Sequence, residues 1–194
     1  MTYRRSDAMR LFLAIPLPDE LRAEVARRAE ALRSQLPRAT WVRPGAMHLT
    51  LRFFGEREPE RAAAIEEALR HPVAGVPEFD LRVARVGAFP KPSRPQIVWL
   101  GLEESPGLAT LCDRVSSTLA GVGEPPEDRP FRGHVTLLRS KARFGRSDFE
   151  RIESDLARLT GARIPVREVI LFESHLGPGG ARHEILVRLP LAAA

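Results

Sequence analysis

Two histidines open the same short pattern, His48-Leu49-Thr50-Leu51 and His134-Val135-Thr136-Leu137. On a β-strand side chains alternate between faces, so His48 and Thr50 share one face while Leu49 and Leu51 take the other. The second tetrad does the same, with His134 and Thr136 toward a polar site and Val135 and Leu137 toward a core. Two imidazoles meeting across one cleft suit an in-line displacement at phosphorus, where attacking and leaving oxygens stand on opposite sides. One neutral imidazole takes a proton from the nucleophile; the other, protonated, gives one to the leaving oxygen. An ordinary histidine pKa of about 6.5 serves both roles near neutral pH. The threonine hydroxyls add hydrogen bonds to the non-bridging oxygens. The residues alone do not say which histidine is the acid, because the two half-sites look alike. A lone histidine on a strand is more often structural; the repetition reverses that judgement.

The repeat extends beyond the tetrads. His134 follows His48 by 86 residues, and sliding the chain by 86 lays Leu11–Leu17 over Ile97–Glu103. The same shift lays a helical pattern from about Glu58 over one from about Phe144, and a shift of 85 brings Leu81–Val86 onto Val166–Leu171. The chain therefore reads as two diverged copies of one unit. Its elements begin with a strand over Met9–Leu17. A helix opening at Pro18 or Asp19 follows, with Leu21, Val25, Ala29, Leu32 and Leu36 at helical spacing and Pro37 as its stop. Trp41–Gly45 reads as a turn into the first motif strand, and a helix over about Glu58–Leu69 leaves His71-Pro72 just past its end. A strand over Phe79–Phe89, a stiff proline loop over Pro90–Pro95 and a strand over Gln96–Leu102 come next. Then follow a helix over about Pro106–Leu119, a connector over Gly121–Pro130 and the second motif strand, Phe131–Arg139. A helix bearing Phe149, Ile152, Leu156 and Leu159, a strand over Ile164–Glu173, a turn at Leu176–Gly180 and a strand over Glu184–Leu189 complete the chain. Residues 1–8 read as an extension and 9–192 as a single α+β domain of two intertwined lobes about a pseudo-two-fold axis.

Strand parity adds further candidates. Arg132, two residues before His134, should share its face and offer a guanidinium fork to a phosphate. Phe53 and Arg139 each lie five residues after their histidine, equivalent under the repeat. Strict alternation sends both to the core face, so a role in the cleft requires a twist or bulge. Given one, a base can stack on Phe53; Phe54, with the better parity, is the fallback.

The 194 residues, 43% hydrophobic and 28% charged, are those of an ordinary globular protein. A net charge of +5 favours a polyanionic partner such as nucleic acid, although only Lys91 and Lys141 among the 30 basic residues are lysine, so an arginine bias accounts for part of it. Cys112 is the only cysteine, which leaves no internal disulfide and no cysteine metal knuckle; its apolar neighbours make it a core residue. Two histidines fall short of the three protein ligands of a catalytic zinc. His175 and His183, flanking the Gly-Pro-Gly-Gly turn, are the remaining place where imidazoles can approach each other. No metal and no cofactor are expected. No apolar stretch approaches 18 residues and no signal-peptide run opens the chain, so the expected location is the cytoplasm, with no membrane association.

The paired tetrads resemble the two-histidine (2H) phosphoesterase superfamily, and within it the RNA 2′,3′-cyclic phosphodiesterases, historically called 2′-5′ RNA ligases. The similarity runs from Met9 to Pro190 and includes Arg10–Ile15, His48–Glu56, Gly87–Pro90, Arg129–Leu137 and Glu173–Arg182. It implies a bilobal α+β fold with two antiparallel sheets, flanked by helices, around a central cleft. It also implies metal-independent hydrolysis of RNA 2′,3′-cyclic phosphate ends to 2′-phosphomonoesters, with His48 as proton donor and His134 as proton acceptor. The implied partner is RNA with such an end, tRNA fragments included, acted on by a monomer. The alternatives are the reverse 2′-5′ ligation and a non-catalytic nucleotide- or RNA-binding module. His175 and His183 depart from the arginine and tyrosine more usual at those places, which bears on substrate preference rather than on the reaction.

Overall fold

A computed structural model describes residues 8–36, 39–127, 130–140, 144–177 and 180–193. The extension expected over residues 1–8 thus lies outside the described residues apart from Ala8. Among the described residues nine strands form: β1 (Met9–Pro16), β2 (Ala39–Trp41), β3 (His48–Arg57), β4 (Phe79–Lys91), β5 (Arg94–Leu102), β6 (His134–Ser140), β7 (Arg163–Val166), β8 (Glu168–Gly177) and β9 (Gly180–Pro190). Among the described residues four α-helices accompany them: α1 (Asp19–Arg33), α2 (Pro59–Ala74), α3 (Pro106–Gly121) and α4 (Arg146–Leu156). The spatial order of the strands is β7-β4-β5-β6-β3-β1-β8-β9, with β2 laid on β6. Each named pairing is antiparallel.

The duplication is visible in who pairs with whom. β1 lies between β3 of its own repeat and β8 of the other; β5 lies between β6 and β4 in the same way. Each repeat thus lends a long strand, β4 or β8, to the other half, and the helices follow suit, α2 packing on α3 and α1 on α4. The two antiparallel halves join at one backbone pair, Leu49 with Val135, both fully buried. Helix faces led by Val25, Ile65, Leu111 and Ile152 fill a common core with Leu11, Leu13 and Ile15 of β1.

The alternation of the two motif strands breaks at equivalent places. Leu13 pairs with Arg52 and Ala14 with Thr50, so Leu51 is the extra residue of a bulge in β3. Val98 pairs with Leu138 and Trp99 with Thr136, so Leu137 is extra in β6. A bulge places two consecutive residues on one face and resets the period beyond it. Leu51 and Arg52 are accordingly both buried, as are Leu137 and Leu138, while Phe53 is 45% exposed. Phe54 is buried in the core, so the fallback candidate is excluded from the cleft.

Several boundaries differ from the sequence reading. α2 runs through His71-Pro72 to Ala74, because helical packing of Val73 on the core continues past the proline. The proline loop is a tight β4–β5 hairpin whose pairing extends to Lys91 with Arg94. β6 begins at His134 rather than Phe131. The connector before it is anchored to β3 and α2. Glu124, 3% exposed, accepts hydrogen bonds from Arg57 at 2.8 Å and Arg61 at 2.8 Å, and these hold its carboxyl below the usual range. The Pro125 carbonyl further accepts from the buried Arg52 guanidinium.

Glu124→Gln should lower unfolding free energy by about 1–3 kcal/mol, since it leaves two guanidinium groups on a neutral amide. Because the folded-state pKa of Glu124 is depressed, its contribution is complete above the unfolded carboxyl pKa and is lost as pH falls through the folded value. Urea titrations of the two proteins should therefore differ at neutral pH and converge in acid. A constant gap across that range contradicts the ion-pair assignment.

Candidate active site

A cleft of about 440 Å³ opens over the junction between the halves, within the range of small-ligand sites. His48, Thr50, Phe53, His134, Thr136 and Arg139 all line it. The antiparallel pairing of Leu49 with Val135 sets each histidine opposite the other strand's threonine, His48 toward Thr136 and His134 toward Thr50. The bulges bring Phe53 and Arg139 to the same wall, against strict alternation.

An aromatic pair from equivalent strands flanks each imidazole. Phe12 of β1 lies 4.6 Å from the His48 ring and itself stacks on Phe172 of β8 at 5.1 Å. Phe89 of β4 meets His134 edge-on at 5.3 Å, and Trp99 of β5 lies 6.2 Å away. Trp99 fits only because Gly87 faces it: a Cβ there would come within 2.2 Å of the indole.

His134 Nδ1 lies 2.7 Å from the Arg132 carbonyl. A carbonyl only accepts, so Nδ1 carries the proton and Nε2 is the basic nitrogen of the neutral ring. This is the part Arg132 plays. Its side chain does not line the cleft, because residue 132 precedes the strand and the alternation counted back from His134 does not reach it. The Ala46 backbone makes the corresponding bond to His48. The His48 pKa is nevertheless lowered to about 4, by burial first and then by the neighbouring His183 imidazole, with Arg139 adding to the effect.

Three further cleft residues escape the sequence reading. Arg10 shares the cleft parity of Phe12 on β1, and its guanidinium sits 4.8 Å over the Phe53 ring. Trp41 and Arg43 fall in the stretch that reads as a turn, since a three-residue strand leaves no periodic signal; β2 pairs with β6, and Arg43 donates to the Ala181 carbonyl at 2.8 Å. The lining thus carries Arg10, Arg43, Arg139 and three imidazoles, and among the described residues no carboxylate. Such a wall attracts an anion and leaves it uncontested.

His175 and His183 do not converge. Ser174 pairs with His183 and His175 with Arg182, so the two imidazoles project from opposite faces of the hairpin. His183 lines the cleft; His175 faces Glu184, 3.4 Å away. Among the described residues no three histidine, cysteine or acidic side chains gather as a metal-holding group. Cys112 is half-buried and its thiol is pushed up to about 12, chiefly by burial, which makes it an inert packing residue.

This arrangement is that of a duplicated phosphoesterase. The family model described as LigT like phosphoesterase matches the chain twice, over residues 15–99 and 100–183, one match for each histidine tetrad, and the chain belongs to that family. An RNA 2′,3′-cyclic phosphodiesterase of Thermus thermophilus is 34% identical, covering 94% of this chain and 90% of that one. The enzyme of that name from Methanothermobacter thermautotrophicus is 30% identical, with 89% and 93% covered. Among solved structures, that of a Thermus thermophilus protein superposes with a TM-score of 0.78 at 27% identity, covering 95% of this chain and 99% of that one. Escherichia coli LigT complexed with 3′-AMP gives 0.72 at 28% identity, with 95% and 99% covered.

Imidazole NMR should find the His48 ring still neutral at pH 6 in the unliganded protein, with a midpoint near 4. Inorganic phosphate bound in the cleft should raise that midpoint by about 1–3 units, because an anion favours the imidazolium. A midpoint near 6.5 that ignores phosphate contradicts the geometry described.

Proposed function

We propose that this protein hydrolyses RNA 2′,3′-cyclic phosphate ends to 2′-phosphomonoesters by acid–base catalysis between His48 and His134. The carrying observation is the pair of imidazoles on equivalent bulged strands, in one cleft whose other charged groups are arginines. The relatives named RNA 2′,3′-cyclic phosphodiesterases support the substrate class. As water attacks phosphorus, Nε2 of His134 takes its proton; the bond from phosphorus to O3′ breaks, and O3′ receives the proton of His48. The hydrogen bond to the Arg132 carbonyl stabilises the imidazolium that forms on His134 and fixes its tautomer.

His48 serves as the acid because of its environment. A buried imidazole with a pKa near 4 is a strong proton donor once charged, and the arriving phosphodiester anion supplies the field that charges it. Thr50 and Thr136 hydrogen-bond the non-bridging oxygens, where a bond to a charged group contributes roughly 1.5–3 kcal/mol. Arg139 neutralises the developing charge. Phe53, backed by Arg10, receives the terminal base on its open face. No step in this sequence calls for a metal ion.

Residues 9–192 act as one catalytic unit, since each half completes the other's sheet. The protein works as a monomer in the cytoplasm, on RNA ends that include tRNA fragments. No helix among the described residues is long and apolar enough to cross a membrane.

With EDTA present, an RNA oligonucleotide ending in a 2′,3′-cyclic phosphate should give a 2′-monophosphate by phosphorus NMR. His48→Ala and His134→Ala should each lower turnover by about 10²–10⁴ while keeping the wild-type melting temperature. Full activity in either variant, or dependence on added metal, contradicts the mechanism. A 3′-monophosphate would preserve the two-histidine chemistry and overturn the choice of leaving oxygen.

A further inference from the structure

The two half-sites differ at one imidazole. β9 extends the sheet beyond β8 and places His183 opposite Ser174, on the cleft wall. In the other half the corresponding edge strand, β7, pairs with Phe79–Arg82 at the far end of β4, away from Phe89 and His134. His48 therefore meets a second imidazole, with ring centroids 5.2 Å apart and planes at 81°. Among the described residues His134 has no such neighbour; its ring contacts are Phe89 and Trp99.

His183 packs against the aromatic residues beside His48. Its ring stands edge-on to Phe12 at 4.8 Å, and its Nδ1 is buried with no hydrogen-bond partner among the described residues. The charged and titratable groups facing the pair are Arg10 from β1, Arg43 from the segment after β2, and His134 and Arg139 from β6. β8 presents Ser174 to the cleft and sets Phe172 against the His48 and His183 rings; its Glu173, like Glu184 of β9, faces His175 on the other side. Among the described residues no carboxylate on this wall therefore offsets a proton on either ring.

We propose that His183 is a positioning residue that makes the two histidines inequivalent: it holds the His48 ring edge-on and opposes its protonation until an anionic substrate arrives. This rests on the reading of His48 as proton donor. A charge on one ring repels a proton from the other, so the two imidazoles titrate as a pair. Burial lowers both, and Arg43 lowers His183 further. The outcome is an imidazole that releases its proton readily to a leaving oxygen. The inequivalence that selects acid and base thus comes from the hairpin strand, outside both repeated tetrads.

The test is an imidazole NMR titration of His48 in wild type, His183→Phe and His183→Lys, with the pH–rate profile of cyclic phosphate hydrolysis measured alongside. His183→Phe keeps a ring against Phe12 but cannot carry charge, so the His48 midpoint should rise by about one pH unit. His183→Lys carries a fixed charge and should lower it. The acid limb of the rate profile should move the same way in each variant. A merely structural role would lower activity without moving either midpoint in a charge-dependent direction. A His48 midpoint unchanged in both variants, or shifted the same way by both, overturns the proposal even if His48→Ala is inactive. Full activity in His48→Ala overturns the donor reading instead, whatever the titrations show.

Discussion

The cleft depends on the pairing of Leu49 with Val135. That one antiparallel contact, with both side chains fully buried, joins the halves of the duplicated fold. Because side chains alternate, burying these two residues forces their neighbours on both strands to the opposite face. Those neighbours are His48, Thr50, His134 and Thr136. A pseudo-two-fold axis through the junction then relates two imidazoles and two hydroxyls, which is the symmetry of a phosphorus centre with one oxygen entering and one departing. The packing requirement and the chemical requirement are met by the same four-residue pattern, used twice.

Charge completes the design. Three arginines and three imidazoles face the cleft without an opposing carboxylate among the described residues. Elsewhere many arginines are paired: Arg57 and Arg61 on Glu124, Arg28 on Glu24, Arg163 on Asp80. The positive charge of the cleft lining is thus left for an entering anion to meet. Burial keeps His48 neutral in that field, and an arriving anion reverses the balance, so proton loading is coupled to substrate binding. This follows from desolvation and Coulombic repulsion alone.

Much of this is legible in the chain. Hydrophobic periodicity marks the helices and long strands, and the 86-residue shift marks the intertwined halves without knowledge of any pairing. The bulges are not legible, because a period of two is counted along one strand whereas a bulge is a property of a strand and its partner. Phe53 and Arg139 are consequently found through the repeat, with their parity against them, and the parity that favours Phe54 misleads. The Arg132 side chain is misplaced for the converse reason: alternation does not extend beyond the point where pairing begins. β2, with Trp41 and Arg43, is too short to show a period. His183 stands out by its type, but its partner His48 lies 135 residues away, a contact only the β1–β8–β9 ladder creates.

The central claim is that the two histidines act from opposite sides of phosphorus. A single diastereomer of a nucleoside 2′,3′-cyclic phosphorothioate, hydrolysed in oxygen-18 water, reports this directly through the configuration of the product. One in-line displacement between His48 and His134 predicts inversion. Retention would require two displacements through a covalent phosphohistidine, or attack from the leaving group's side, and would contradict the proposed roles of both residues.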